Sequence, residues 1–116
     1  MALLPRMDSE TERIYLNGLQ YLCEVYLALK RYEEMRLEIE AILKIDPRSQ
    51  RALYNLAIYH YLYKHDRTRA YELLKKTIGI DPDTREGRQA QYAIEYIRRN
   101  PDSRIAPASP LLGRSE

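Results

Sequence analysis

RALYNLAIYHYLYKHDRTRAYELLKKTIGIDP, residues 51 to 82, reads as two antiparallel amphipathic helices joined by a short turn and closed by Ile80-Asp81-Pro82. Leu53, Leu56, Ala57, His60 and Tyr61 recur near the helical period in the first half. Ala70, Leu73, Leu74, Thr77 and Ile78 do so in the second. Asp66 is placed to cap the second helix.

The rest of the chain repeats or caps this unit. Ile45-Asp46-Pro47 returns as Ile80-Asp81-Pro82, an offset of 35. Leu19, Leu22, Cys23 and Tyr26 return as Leu53, Leu56, Ala57 and His60, an offset of 34. Met35, Ile39 and Pro47 stand against Ala70, Leu74 and Pro82. The one-residue difference is therefore expected in the turn at Lys64, His65 and Asp66.

A period of 34 or 35 residues with paired helices resembles the tetratricopeptide repeat, whose pattern is W-x2-L-G-x2-Y, then A-x3-F, then P, over about 34 residues. The resemblance covers roughly Tyr15 to Arg99. Leu56 and Ala57 stand at the pattern's Leu-Gly, Ala70 at its helix-crossing Ala and Pro82 at its closing Pro. The first copy departs more, with Leu19 for Trp and Met35 for the small residue. Small side chains let helix backbones approach closely, so Met35 argues against an equally tight crossing in the first pair. The expected fold is all-α: five helices in antiparallel hairpins, stacked as a short right-handed superhelix.

Taken in order, residues 1–8 read as an arm offering Leu3, Leu4 and Met7. A helical domain then spans 9–99, with repeats at about 16–49 and 50–84 and a capping helix at about 84–99. Ser9-Glu10-Thr11-Glu12 has the capping-box pattern that starts helix one, which is expected to run to about Lys30 and to bury Ile14, Leu19, Leu22, Tyr26 and Leu29. Arg31-Tyr32-Glu33 makes a turn before a second helix with Met35, Leu37, Ile39, Ile42 and Leu43. Pro47 ends that helix near Ile45, and Ser49 caps the third. Thr84 caps the fifth, in which Gln89, Tyr92, Ala93 and Tyr96 keep the frame of a first repeat helix. Arg85, Arg88, Glu95 and Arg98 give it a polar outside, and Asn100-Pro101 stops it. Residues 100–116 read as a disordered tail whose apolar spot is Leu111-Leu112.

Composition narrows the function classes. No apolar run approaches the roughly 18 residues of a membrane span, and the start lacks the pattern of a secretory signal, so a water-soluble, cytoplasmic protein is expected. The single Cys23 stands where the repeat has Gly or Ala and gives neither a disulfide framework nor a CxxC metal site. Residues 1–46 carry six Lys or Arg against nine Asp or Glu, and residues 47–116 carry thirteen against eight. Such opposed halves suit head-to-tail association. All of the aromatic residues are Tyr, eleven of them, which suits surfaces packed on one side and wet on the other.

The resemblance implies a groove lined by the first helix of each pair, gripping an extended peptide or a partner helix. Its groove positions fall on Gln20, Glu24 and Leu27, on Tyr54, Asn55, Ile58 and Tyr61, and on Ala90, Ile94 and Ile97. Co-chaperones of this family that hold acidic chaperone tails use a clamp of Lys, Asn, Asn, Lys and Arg; the matching residues here are Gln20, Glu24, Asn55, Gly87 and Gln91. Asn55 alone agrees, and Glu24 would repel a carboxylate, so that specificity is rejected. The expected protein is a non-enzymatic adaptor or scaffold with no cofactor and no metal. In a second reading Tyr54, Ile58 and Tyr61 form a self-association interface. A third, RNA binding of the pentatricopeptide kind, meets a near-neutral charge that lacks the usual electrostatic footprint; Arg67, Arg69, Lys75 and Lys76 form its densest basic cluster. His60 at a core position and His65 in a turn lack ligand spacing for zinc, and no phosphate loop or nucleophile elbow is present.

Overall fold

A computed structural model describes residues 8–100. The arm and tail expected at the two ends, with Leu3, Leu4, Met7 and Leu111-Leu112, lie outside the described residues apart from Asp8 and Asn100. The described chain is all-α: α1 (Ser9–Ala28), α2 (Tyr32–Ile45), α3 (Gln50–Ile58), α4 (Arg67–Ile80) and α5 (Arg85–Arg99). Helix α3 continues directly into a π-helical turn, Tyr59–Tyr63.

Local hydrogen bonds explain why the same stop occurs twice. The Asp46 carboxylate accepts from the Arg48 amide at 3.2 Å, and Asp81 accepts from Asp83 at 2.9 Å. Each Asp thereby turns the chain two residues on, as an Asx turn does. Three residues after each Asp stands the next cap: Ser49 accepts from the Ala52 amide and Thr84 from the Gly87 amide. Asp66 caps α4 through the Arg69 amide at 3.0 Å. At the first helix Asp8, not Ser9, is the cap, accepting from the Thr11 amide at 2.7 Å. Its carboxylate occupies the position the capping-box reading gave to the Ser9 hydroxyl, one residue earlier.

The turns between paired helices correct the sequence reading in a second way. Helix α1 stops at Ala28 and α2 already begins at Tyr32, so the first turn is Leu29 to Arg31. Lys30 has φ 59° there, and His65 has φ 55° in the second turn, again an offset of 35. Both turns are three residues long, so the extra residue of the second copy is not in the turn. It is absorbed in the π-helical segment, as the hydrogen bonds record. The Arg31 amide reaches back five residues to the Tyr26 carbonyl, whereas the Asp66 amide reaches back six, to His60.

Short connections make neighbouring helices antiparallel, and each helix packs on the next, with α3 also touching α1 and α5. Two core clusters result. Leu19, Cys23, Met35, Ile39 and Ile42 pack with Ala52 and Tyr59 of α3 and its extension. On the other side Leu53, Tyr54, Ala57, Ile58 and Tyr61 pack with Ala70, Leu73 and Leu74 of α4 and with Ala90, Ala93, Ile94 and Ile97 of α5. Leu27, Leu43 and Leu56 border both clusters. Met35 is fully buried against the face that carries Cys23.

Several residues expected in the core are outside it. Ile14, Leu22, Leu29 and Leu37 are exposed, as is Tyr92 of α5. In α5 the buried set is Gly87, Ala90, Ala93, Ile94 and Ile97, a stripe rotated away from Tyr92, with Tyr96 half-buried at its margin. Helix α5 meets neighbours on one side only, and its small and branched residues occupy that side.

Gln50 locks the second unit to its cap. Its Nε2 donates to the Thr77 and Asp81 carbonyls at 2.9 and 2.7 Å, and its Oε1 accepts from the Thr84 hydroxyl at 3.0 Å. Gly87 sits against this junction, where a Cβ would collide with the Asp81 carbonyl oxygen and stand 2.8 Å from the Pro82 carbonyl carbon. Both obstacles are backbone and cannot swing aside. Gly87→Ala is therefore expected to destabilise the fold by about 1–3 kcal/mol, measured by urea unfolding. Gly79→Ala, where a Cβ meets nothing within 4 Å, is the control expected to hold or gain stability.

Candidate functional site

A cleft of about 430 Å³ opens on the side of α1, α3 and α5. Its apolar floor is Leu27, Tyr54 and Ile58, with Ala28 and Tyr32 at the α1–α2 turn. The rim is charged with both signs: Glu24, Lys30, Arg51, Arg85 and Glu86. Arg51 and Glu24 form an ion pair that links α3 to α1 across one edge. The volume lies in the range of clefts that hold a small ligand or a few residues of a peptide.

Helix α3 supplies the floor because it is central and because positions 51, 54, 55 and 58 recur at helical spacing on the side that no other helix fills. Asn55 is the polar member. It is only 6 % exposed, lines the cleft, and its Nδ2 makes no hydrogen bond among the described residues. A buried amide donor without a partner costs about 1–3 kcal/mol.

Of the groove residues expected from sequence, Glu24, Leu27, Tyr54, Asn55 and Ile58 are brought together in this cleft. The others go elsewhere. Gln20 faces a second hollow, of about 320 Å³, beside Asn17, Ser49 and Arg51. Tyr61, Ala90, Ile94 and Ile97 are buried in the core between α3, α4 and α5. The α5 side of the cleft is built instead by Arg85, Glu86 and Gln89 of its first two turns. These three were missed because the repeat frame was carried one helix too far. The signal was present in α5 itself, whose apolar spacing at 90, 93, 94 and 97 marks a core face. Tyr54, Ile58 and Tyr61 are largely buried, so either a bound peptide or, in the second reading, another copy would meet only the edges of these side chains.

Cys23, Tyr54, Tyr59 and His60 are all shifted towards their neutral forms. Burial, with help from Glu38 and Glu24, pushes the Cys23 thiol up to about 12. Burial also raises the Tyr54 phenol. Tyr59 is raised by burial and by its hydrogen bond to Glu33, at 3.0 Å. Glu33 in turn is lowered by Arg36 and by that Tyr59 hydroxyl. His60 is lowered, first by burial and then by Arg69. Among the described residues no three His, Cys, Asp or Glu side chains are grouped to hold a metal ion, and no helix is long and apolar enough to cross a membrane.

Comparison of the chain with known protein families, with curated proteins and with solved structures finds no match. The geometry of the cleft carries the functional reading.

His60 yields a prediction about pH. Its ordinary value is 6.5 and its folded value lies below that, so beneath 6.5 the unfolded chain takes up the proton first. Stability should therefore fall as pH drops from about 7 through 6.5 towards the folded value, and His60→Gln should flatten that slope. Losses from Glu33 and Glu34, whose folded values are lowered, belong to a separate window below their ordinary 4.5. Thermal melts of both proteins between pH 5 and 7.5 provide the check.

Proposed function

We propose that this chain is a non-enzymatic adaptor of the tetratricopeptide type, holding an extended peptide or a helix of a partner protein in the cleft between α1, α3 and α5. The observation that carries the reading is Asn55: an enclosed amide donor with no hydrogen-bond partner among the described residues, just beneath the apolar floor of a cleft with a charged rim. A main-chain carbonyl of a bound peptide is the acceptor that suits it, because any sequence supplies one. Leu27, Tyr54 and Ile58 favour an apolar side chain beside that carbonyl. The mixed rim of Glu24, Lys30, Arg51, Arg85 and Glu86 favours a partner with charges of both signs and disfavours a uniformly acidic or basic one. This last point also weighs against nucleic acid, whose backbone would face Glu24 and Glu86.

The state of the ionisable groups supports a binding role over catalysis. Activated thiolates have lowered values, and Cys23 is shifted the opposite way, out of reach of solvent. His60 lies in the π-helical turn and does not line the cleft.

The test is selection of displayed peptides on the immobilised chain, followed by titration of the best binder. Asn55→Ala should weaken binding about tenfold, the equivalent of roughly 1.4 kcal/mol for one hydrogen bond. Because it removes a buried donor with no internal partner, it should leave the melting temperature unchanged or raise it. Equal affinity of Asn55→Ala and the parent chain would refute the assignment of Asn55, and failure of any peptide to bind would refute the cleft.

A further inference from the structure

We infer that the outward face of α1 is a homodimer interface in which two copies of the helix cross antiparallel at Gly18. At 3.6 residues per turn, Ile14, Gly18, Tyr21, Leu22, Val25 and Leu29 fall within about 60° of one line along the helix. This stripe lies opposite Leu16, Leu19, Cys23 and Tyr26, which face the core. It contains no charged residue, and Tyr21, Leu29 and Ile14 are 69 %, 59 % and 58 % exposed. A helix that is apolar on both faces is normally covered on both. No other described helix contacts the stripe side of α1, since its neighbours α2 and α3 are on the core side.

Three observations favour a second copy as the cover. First, the centre of the stripe is self-complementary about Gly18: an antiparallel two-fold there sets Ile14 against Leu22 and Tyr15 against Tyr21, apolar on apolar, with Val25 against the uncharged Thr11 one turn out. Second, a Cβ on Gly18 would meet nothing within 4 Å among the described residues, so packing among them gives no reason for a glycine that weakens the helix interior. A close helix crossing gives one. Third, the four exposed side chains that this crossing pairs, Ile14, Tyr15, Tyr21 and Leu22, present on the order of 500 Å² per copy, so a pair removes up to about 1,000 Å², the size of a weak, reversible interface. The acidic groups that flank the stripe do not oppose this, because Glu10 is paired with Arg13 and Glu24 with Arg51 within each chain. The crossing at Gly18 is centred away from the cleft, which the stripe approaches only at Leu29, between Ala28 and Lys30.

Light scattering on the purified full chain, from low to high micromolar, reads this directly. The parent protein should double its mass with concentration. Ile14→Glu with Tyr21→Lys should stay monomeric with unchanged helical circular dichroism. Gly18→Leu should melt higher as a monomer, because it fills open space and favours helix, yet associate at least tenfold more weakly. Gly18→Cys should form a covalent dimer on oxidation while buried Cys23 stays silent. A parent chain that remains monomeric at every concentration overturns the inference, as does a dimer that persists in the Ile14, Tyr21 variant.

Discussion

The fold depends on covering α3 on all sides but one. Ala52 and Tyr59 face the first hairpin while Leu53, Tyr54, Ala57, Ile58 and Tyr61 face α4 and α5. A helix apolar around most of its circumference cannot rest on a single partner. It needs α1 and α2 on one side and α4 and α5 on the other, and the two clusters they form meet at Leu27, Leu43 and Leu56. The one side left open, between α1 and α5, is the cleft. The candidate site is thus the residue of an incomplete burial: the same helix supplies the core and the floor, which is why Tyr54 and Ile58 belong to both.

The π-helical turn follows from the same constraint. The second copy has one residue more than the first between its helix frame and its turn. Lengthening the turn would shift Asp66 and everything after it relative to Gln50. Widening the last turn of the helix keeps the three-residue connection and the positive φ at His65. It also brings Tyr59 and Tyr63 to one side, where Tyr63 stacks on Tyr32 at 5.3 Å and Tyr59 reaches Glu33 of α2. The inserted residue therefore ties the second unit to the first through aromatic contact. Segments of this kind tend to arise where an extra residue is accommodated without breaking the helix.

What could be read from sequence divides by the range of the interaction involved. The caps at Ser49, Asp66 and Thr84 and the stop at Ile45 span three residues or fewer, and their side chains announce them. The α4 core face was legible because that helix buries one side only. Helix α1 was misread because its apolar residues occupy two faces, and periodicity shows that a face is apolar without showing which face meets a neighbour. Ile14, Leu22 and Leu29 carry the right spacing and point away. For the cleft, Glu24, Leu27, Tyr54, Asn55 and Ile58 follow from the repeat frame; Ala28 and Arg51 beside them do not, and neither do Arg85, Glu86 and Gln89 of α5. The placement of these last three depends on how the Asp81–Thr84 connection and Gly87 set the start of α5 against Gln50, an arrangement between residues more than thirty apart.

The two ends of the array are finished differently. The outer side of α5 presents Arg88, Glu95, Arg98 and Arg99, with Glu95 near both arginines of its last turn. Burying that surface would strip water from several charges at once, so it is built to remain wet. The outer side of α1 has no charge to desolvate, and the work of burying it is small. An array with one polar end and one apolar end has a direction, and association through the apolar end alone closes after two copies. In the proposed dimer, the charged outer side of α5 would leave no second apolar end from which a filament could continue.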